Sequence, residues 1–351
     1  MQEIHPISYF ITINYLLSSL VNNTSGFGKQ HFQLLWLLYA AYTILVLTSL
    51  FGNSVIIHII RTDNSMKNAT SYLILNQACA DLVITMANTM GVIHHSSMNK
   101  LWFRGLLGLL SCKLCLVIIF CPPIFSVSIL STIAIERFYA VARPFRSSPI
   151  SKHLKKIIFV LWVFCFVTSL PFIEKDNFQI IKEFSFCSLA DFLEDFTILK
   201  MLAVSLNVLL PLAVVLVLYT AVCLKLWSRE VPGEGSNQNA QQAEAVKTAR
   251  KVTLMMITVV ILYILCWLPL FAVGILQLSL GNFRVKESLL LFFIWLTVAY
   301  SALNPYVYLM FSQNFRIGFK RLFQNFQERV VIRNPNVLPL RAQHVDIDCQ
   351  M

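Results

Sequence analysis

The chemistry-bearing residues of this sequence are a few charged side chains that lie in or beside long apolar stretches. Glu136 and Arg137 end the apolar run that begins at Ser126, and Asp81 stands about halfway along another apolar stretch. A charge in such surroundings is costly without partners, which makes each of these residues a functional-site hypothesis. Asp81 should either take up a proton or hold a cation with neighbouring oxygens. Two alternatives stay open, because Asp81 can be a neutral structural residue and Glu136-Arg137 can simply mark a helix end.

The composition indicates an integral membrane protein. Of the 351 residues, 57% are apolar and 13% are charged, about half the charged fraction typical of a soluble protein. The net charge of +11 could suggest nucleic acid, but the basic residues follow a membrane pattern instead.

Seven apolar segments have the length of a membrane-spanning helix. Short alternating segments typical of β-barrel strands do not occur, so the fold class is an all-α membrane protein, a seven-transmembrane helix bundle. The predicted spans, numbered 1 to 7, are Leu34–Ile60, Tyr72–His94, Leu106–Ile135, Ile157–Ile173, Ile198–Trp227, Val252–Gln277 and Ser288–Phe311.

Basic residues predict the orientation of the bundle. The segments 61–67, 137–156 and 225–251 and the tail after residue 311 together hold 19 of the 28 Lys and Arg residues, which predicts that they face the cytoplasm. Residues 1–33 are then extracellular, with usable glycosylation sequons at Asn22 and Asn23, and a cleaved signal peptide is an alternative for their start. The bundle would cover residues 34–311, and a disordered tail would cover residues 328–351.

Two of the nine cysteines fall on the predicted outer side. Cys112 starts span 3 and Cys187 lies between spans 4 and 5, whereas the others lie in the spans, at their inner ends or in the tail. Because only these two face an oxidising compartment, we predict a disulfide between them.

Two further segments carry recognisable patterns. The loop 174–195 has six acidic residues and two lysines, which would steer cationic ligands, although an ordinary solvated loop is the alternative. Residues 312–327 place aromatic residues at three- and four-residue steps, which predicts an amphipathic helix at the inner membrane surface. Residues 230–244 are a polar, low-complexity linker.

The motifs, taken together and in order, resemble those of rhodopsin-like (class A) G-protein-coupled receptors, most closely the neuropeptide-receptor branch, over about residues 34–326. Each motif is weak by itself, but every span carries at least one. They are Gly52-Asn53, Leu75 with Ala80-Asp81, Cys112, Glu136-Arg137-Phe138, Trp162, Pro171, Cys187, Pro211, Tyr219, Cys266-Trp267-Leu268-Pro269, Asn304-Pro305-Tyr306-Val307-Tyr308 and Phe315-Arg316.

The resemblance implies a bundle with two packings and a ligand that shifts their populations. The arginine at position 137 would be held by its neighbouring acid at rest and would turn toward Tyr219 and Tyr308 on activation, while span 6 swings about Pro269. Glu136, Trp267, Asn304 and Pro305 would belong to the same switch, and Arg137, Pro144 and Phe145 would contact a heterotrimeric G protein. A polar core with an allosteric Na⁺ at Asp81 would be formed by Asn53, Asp81, Ser126, Ser301 and Asn304; no other cofactor is expected.

The sequence departs from the family pattern at several places. Phe138 replaces the usual tyrosine, and Tyr263 stands where span 6 usually has a phenylalanine. Ala249 occupies the place where some members have an acid that locks the arginine, so elevated basal activity is a hypothesis. Tyr300 stands where an asparagine of the sodium site is frequent, and Pro122-Pro123 lie one turn before Ser126, which leaves sodium sensitivity open.

The residues expected at the outer mouth of the bundle are apolar: Ile119, Phe120, Pro123, Leu270, Phe271, Leu290 and Ile294. Ile119 stands at the position of the amine-receptor aspartate and Val298 at that of the retinal lysine, which argues against both ligand classes. We expect a short cationic peptide that inserts an apolar or amidated end, with a lipid or other apolar small molecule as the alternative. An ion or proton transporter is the runner-up class, although internal repeats are missing. We find no nucleophile–base set that would indicate an enzyme.

Overall fold

The fold is described by a computed structural model, which covers residues 26–96, 102–143, 148–170, 178–181, 184–187, 202, 205–228, 237–280 and 287–333. Long helices account for nearly all of these residues. They are α1 (Gly26–Thr62), α2 (Ala69–Ser96), α3 (Gly105–Ala142), α4 (Pro149–Ser169), α5 (Leu210–Trp227), α6 (Asn237–Leu280), α7 (Glu287–Phe311) and α8 (Gln313–Arg333). A short 3₁₀ turn, Asn64–Met66, follows α1, and a π-helical turn, Ser205–Leu209, leads into α5.

Helices α1 to α7 correspond to the seven predicted spans, and the all-α fold is thereby confirmed. Five of them, α1, α3, α5, α6 and α7, are long and apolar enough to cross a membrane by length and composition. Helices α2 and α4 are more polar, since α2 contains Asn76, Gln77 and Asp81 and α4 begins with a lysine-rich turn.

Several helices extend beyond the predicted spans at their inner ends. Helix α6 begins at Asn237, inside the stretch 230–244 that was predicted to be a linker, so that prediction is wrong for residues 237–244. These residues are rich in Gln, Ala and Glu, which favour helix once an apolar span continues from them. Helix α8 likewise ends at Arg333, so residues 328–333 are helical and not part of a disordered tail.

Polar caps explain where two helices start. Ser148 accepts a hydrogen bond from the backbone N–H of Ser151 (3.1 Å) at the start of α4, where Pro149 occupies a first-turn position. Asn68 accepts from the backbone N–H of Ser71 (2.9 Å) at the start of α2. Both caps satisfy N–H groups that a helix start leaves without partners, and Ser148 explains why α4 begins before the predicted Ile157.

Helix α3 is the central helix of the bundle. It packs against α2, α4 and α5, and 67% of its most apolar stretch is buried, compared with 28% for α5. Phe125 on its α4 side stacks on Trp162, whose indole N–H donates to Asn76 of α2 (3.3 Å). Because α3 reaches from Gly105 to Ala142, it carries the outer disulfide at one end and Glu136-Arg137 at the other.

Two glycines permit close helix packing around α1. A Cβ added at Gly52 would lie 2.9 Å from the ring of Pro305 on α7, and one added at Gly318 would lie 2.5 Å from Ile59. Real Cβ atoms do not approach so closely, so these glycines set the distances from α1 to α7 and α8.

The outer loop contains an antiparallel hairpin that the sequence analysis did not predict. Strand β1 (Phe178–Ile181) pairs with β2 (Phe184–Cys187), with Phe178 opposite Cys187 and Ile181 opposite Phe184. The last residue of β2, Cys187, forms a disulfide with Cys112 at the outer end of α3. The predicted disulfide is therefore confirmed, and it ties the hairpin to the central helix.

Candidate functional site

The middle of the bundle holds a buried polar cluster around Asp81. Both carboxylate oxygens accept hydrogen bonds: Oδ2 from the Asn304 amide (2.9 Å) and Oδ1 from the Ser301 hydroxyl (3.1 Å) and the Gln77 amide (3.2 Å). Asp81 is only 1% exposed, and Ser301 and Asn304 are fully buried. Three donors thus compensate a carboxyl group that would otherwise be costly at this depth.

Asn53 joins α1 to the same cluster through α7. Its amide nitrogen donates to the backbone carbonyl of Ser301 (3.0 Å) and to that of Ser49 (3.0 Å) one turn earlier. The Ser49 hydroxyl in turn pairs with Thr85 of α2 (2.7 Å). Asn53 therefore supports the cluster by positioning Ser301, and its hydrogen bonds among the described residues go to Ser49 and Ser301.

Gln77 was passed over as a site residue, although it belongs to the centre of the cluster. It precedes Asp81 by one turn of α2, and its amide nitrogen also donates to the Ser126 hydroxyl of α3 (2.8 Å). The Tyr300 hydroxyl of α7 lies 3.5 Å from the same nitrogen. The signal that could have identified Gln77 is its spacing, because a polar residue four positions before Asp81 must share its helix face.

Aromatic side chains of α6 and α7 continue from this cluster toward the outer half of the bundle. Tyr300 meets Tyr263 edge to face (5.4 Å), Tyr263 stacks on Trp267 (6.0 Å) and Trp267 stacks on Phe271 (6.0 Å). The Tyr263 hydroxyl donates to the backbone carbonyl of Pro123 (3.3 Å), which ties α6 to α3. A phenylalanine, the usual residue at this position, could not make that bond.

At the inner end of α3, Glu136 and Arg137 have separate partners. Arg137 donates to the hydroxyl of Thr70 at the start of α2. Glu136 accepts from the hydroxyls of Ser148 and Ser151 at the start of α4. The resemblance implied an arginine held by its neighbouring acid, but in the part of the chain that the structure describes the recorded ion pair is Arg321–Asp63. The serines of the α4 cap compete for the carboxylate, which explains the difference.

Arg137 borders a cavity of about 570 Å³ between α3 and the inner half of α6. Ala249 contributes to its lining, so the position of the missing acid does lie near Arg137. The cavity is lined by Arg137, Gln241, Glu244, Ala245, Thr248, Ala249 and Val252.

Two tyrosines of the expected switch are buried near this end. Tyr219 of α5 is 4% exposed, and its hydroxyl has no hydrogen-bond partner among the described residues. Tyr308 of α7 is 1% exposed and stacks on Phe315 of α8 (5.7 Å). The structure brings Glu136, Arg137 and Tyr219 to the same end of the bundle and leaves Arg137 on Thr70.

The predicted ligand pocket is described in part. Ile119, Phe120, Leu270, Phe271 and Ile294 are half-buried, and Pro123 is buried. This burial is compatible with residues that face the inside of a bundle, and their role in ligand binding stays a prediction. Asn22, Asn23, Pro144, Phe145 and the side chain of Leu290 lie outside the described residues.

Comparison with known proteins identifies the class. The family "7 transmembrane receptor (rhodopsin family)" matches residues 52–308, which is most of the chain. The chain therefore belongs to the rhodopsin-like (class A) G-protein-coupled receptors, and the resemblance seen in its motifs is confirmed. Membership makes it a multi-pass receptor of the plasma membrane.

Among its relatives are receptors for two named peptides. The chain is 30% identical over 320 residues to the substance-P receptor of Mus musculus, covering 88% of this chain and 76% of that receptor. It is 29% identical over 320 residues to the substance-P receptor of Rattus norvegicus, with the same coverage. The neuromedin-K receptor of Oryctolagus cuniculus is 27% identical over 312 residues, covering 86% of this chain and 64% of that receptor. These relatives confirm the neuropeptide-receptor branch.

Proposed function

We propose that this receptor binds a short cationic peptide at its extracellular face and activates a heterotrimeric G protein at its cytoplasmic face. The activation step is supported by the position of Arg137. Its guanidinium donates a hydrogen bond to the Thr70 hydroxyl beside the cavity between α3 and α6. The ligand class is supported by relatives named for substance P and neuromedin K. The acidic loop 174–195 would attract such a peptide electrostatically.

Activation would exchange the partners of Arg137. In the resting arrangement the guanidinium uses the Thr70 hydroxyl, while the buried Tyr219 hydroxyl lacks a partner in the described part of the chain. A buried hydroxyl without a hydrogen bond costs about 1–3 kcal/mol, so an arrangement that brings Arg137 to Tyr219 recovers energy that the resting state forgoes. An outward movement of the inner half of α6 about Pro269 would enlarge the cavity for a segment of the G protein.

The outer half would pass the ligand signal to α6 through its aromatic contacts. Trp267 and Phe271 stack on each other below the apolar mouth, and Tyr263 ties the same helix to Pro123 of α3. A peptide end that displaces Phe271 or Trp267 would therefore strain the Tyr263 bond. The distribution of the basic residues supports an extracellular N-terminus and a cytoplasmic C-terminus.

The first experiment identifies the ligand. Cells that report several G-protein pathways are exposed to a library of short peptides, amidated and free-acid, with substance P and neuromedin K among them. We expect activation by a cationic peptide and a loss of apparent affinity when the salt concentration is raised, because charge attraction is screened by salt. A receptor that responds only to lipids, with no salt dependence, would be the apolar-ligand alternative.

The second experiment tests the transducing residue. Arg137→Gln should reduce peptide-driven guanine-nucleotide exchange at least tenfold while peptide affinity and surface delivery persist. Arg143→Gln is the matched control, since Arg143 is an exposed arginine at the end of the same helix, close to the ring of Tyr139 (6.0 Å). Undiminished exchange in Arg137→Gln would show that the proposed mechanism is wrong.

A further inference from the structure

The Gln77 amide occupies the place in the polar core where the family resemblance would put a sodium ion. Its nitrogen lies between Asp81 Oδ1 (3.2 Å) and Ser126 Oγ (2.8 Å), two atoms of the expected cation pocket. Gln77 is fully buried, so this arrangement is not a surface contact that solvent can replace.

The orientation of this amide follows from its neighbours. The Gln77 NH₂ group donates to both Asp81 Oδ1 and Ser126 Oγ, which is the orientation that an ionised carboxylate requires because it only accepts hydrogen bonds. Gln77 Oε1 then points away and has no hydrogen-bond partner among the described residues. The two amide hydrogens fill the gap between Asp81 and Ser126.

The surrounding residues also fit a cation poorly. A hard cation needs oxygen atoms that offer lone pairs. Here Ser301 and Asn304 turn hydrogen-bond donors, and not lone pairs, toward Asp81. The Asn304 Oδ1 atom keeps its lone pairs and has no partner among the described residues, but the nitrogen of that amide is the atom that bonds to Asp81. Tyr300 is fully buried with its hydroxyl 3.5 Å from the Gln77 nitrogen, at the position where the family pattern often has a smaller asparagine.

We infer that Gln77 serves as a built-in replacement for the sodium ion, and that this receptor does not use sodium as an allosteric ligand. The amide joins α2 to α3 as a cation coordinated by Asp81 and Ser126 would. Because the group is covalently attached, its occupancy does not depend on the ion concentration outside the cell. The resting state of this receptor is therefore held by its own side chain.

The test measures thermal unfolding of the purified full-length receptor with Na⁺ as the ligand. The two buffers contain about 150 mM sodium chloride or choline chloride, which keeps the ionic strength equal. We expect the same unfolding temperature in both buffers for the wild-type protein. The measurement needs neither peptide nor G protein, so it stays independent of the proposed function.

Removing the amide should create a sodium response. The double variant Gln77→Leu and Tyr300→Asn frees the space beside Asp81 and supplies an amide oxygen that can coordinate a cation. Its unfolding temperature should therefore rise by about 3 °C in sodium relative to choline. The single variant Gln77→Leu, which has a shorter side chain without the donor, gives the same comparison with Tyr300 unchanged. Adding Asp81→Asn to either background should abolish the gain.

Two results would overturn the inference. A wild-type receptor that is stabilised by sodium would show that the ion binds despite Gln77. Variants that fold but gain no sodium response would show that Gln77 is not the group that excludes the ion. The wild-type comparison decides the first point even if every variant fails to fold.

Discussion

The two polar regions of this bundle are built in opposite ways. Around Asp81 the carboxylate receives three donors from α2 and α7, and the residues involved are almost completely buried. The Arg137 guanidinium donates a hydrogen bond to the Thr70 hydroxyl beside a cavity. The nearby Tyr219 hydroxyl is buried without a partner among the described residues. The Asp81 carboxylate is therefore fully hydrogen-bonded in this packing, although Gln77 Oε1 and Asn304 Oδ1 lack partners among the described residues. The Arg137 end has no comparable set of donors and acceptors among the described residues.

This difference indicates which part of the bundle can rearrange at the lower energetic cost. A buried carboxylate that accepts three hydrogen bonds resists change, because breaking any of them leaves a buried oxygen with one donor fewer. The Arg137 end has a cavity and a buried Tyr219 hydroxyl without a partner among the described residues. A rearrangement there breaks fewer hydrogen bonds and can give that hydroxyl a partner. We therefore expect the contacts of Asp81 to hold the helices together and the Arg137 end of the bundle to be the part that rearranges.

The largest effect should come from removing a hydrogen-bond donor from the Asp81 carboxylate. Asn304→Leu removes the donor to Asp81 Oδ2 and leaves that oxygen unpaired, so we expect a loss of about 2–4 kcal/mol in stability. Thermal unfolding of the purified receptor measures it. Thr297→Val is the control on the same helix, because its hydroxyl donates to the carbonyl of Ile294 one turn away (2.7 Å) and the loss of such a local bond should cost far less. Equal losses in both variants would contradict the contrast between the two regions.

The next largest effect should come from removing the hydrogen-bond partner of Arg137. Thr70→Val removes the partner of Arg137, so basal guanine-nucleotide exchange without any ligand should rise about three- to tenfold, with little change in unfolding temperature. Ser71→Ala, at the next residue, is the control, since its contact at the start of α2 uses the backbone N–H.

A substitution across the cavity should have the opposite effect. Ala249→Glu places a carboxylate on the cavity lining shared with Arg137, so it should lower basal exchange in the wild type and in Thr70→Val. If Ala249→Glu leaves basal exchange unchanged, the missing acid is not a cause of basal activity.

A pair of tyrosine variants compares a buried hydroxyl that lacks a partner among the described residues with one that has a partner. Tyr219→Phe deletes an orphaned hydroxyl, so the resting receptor should gain up to about 1 kcal/mol in stability and lose peptide-driven exchange. Tyr263→Phe deletes a hydroxyl that donates to Pro123, so it should lose about 1 kcal/mol and raise basal exchange. Unfolding temperature and exchange that move in the same direction for both variants would remove the distinction.

The smallest effect should come from the exposed pair between α8 and the first inner loop. Arg321 Nη1 lies 2.9 Å from Asp63 Oδ2, but the Arg321 side chain is 63% exposed, so Arg321→Ala should cost less than about 1 kcal/mol. Hydrogen bonds from the backbone N–H and the hydroxyl of Ser65, together with Arg321, hold the pKa of Asp63 below its ordinary value. A lowered pKa stabilises the fold above the unfolded-state pKa, so this contribution should be lost as the pH falls below about 4. Unfolding scans at neutral and acidic pH measure both effects.

Much of the architecture was predictable because the membrane imposes strong rules on a sequence. The seven spans, the helix after them and the Cys112–Cys187 pair follow from hydropathy, periodicity and the predicted distribution of thiols between the two sides. Helix ends were less predictable. The inner extension of α6 and the early start of α4 rest on local capping and helix propensity outside the apolar stretches.

The site shows the same division at the level of single residues. The sequence determined that Asp81, Glu136 and Arg137 need partners, because charges at such positions are costly on any fold. It could not name those partners, since Thr70, Ser148 and Gln77 are ordinary polar residues that gain a role only from the helices beside them. Only the tertiary structure decided that Glu136 pairs with serines and that an amide lies where a cation was expected, because hydrogen bonds depend on distances of a few tenths of an ångström between helices far apart in the chain.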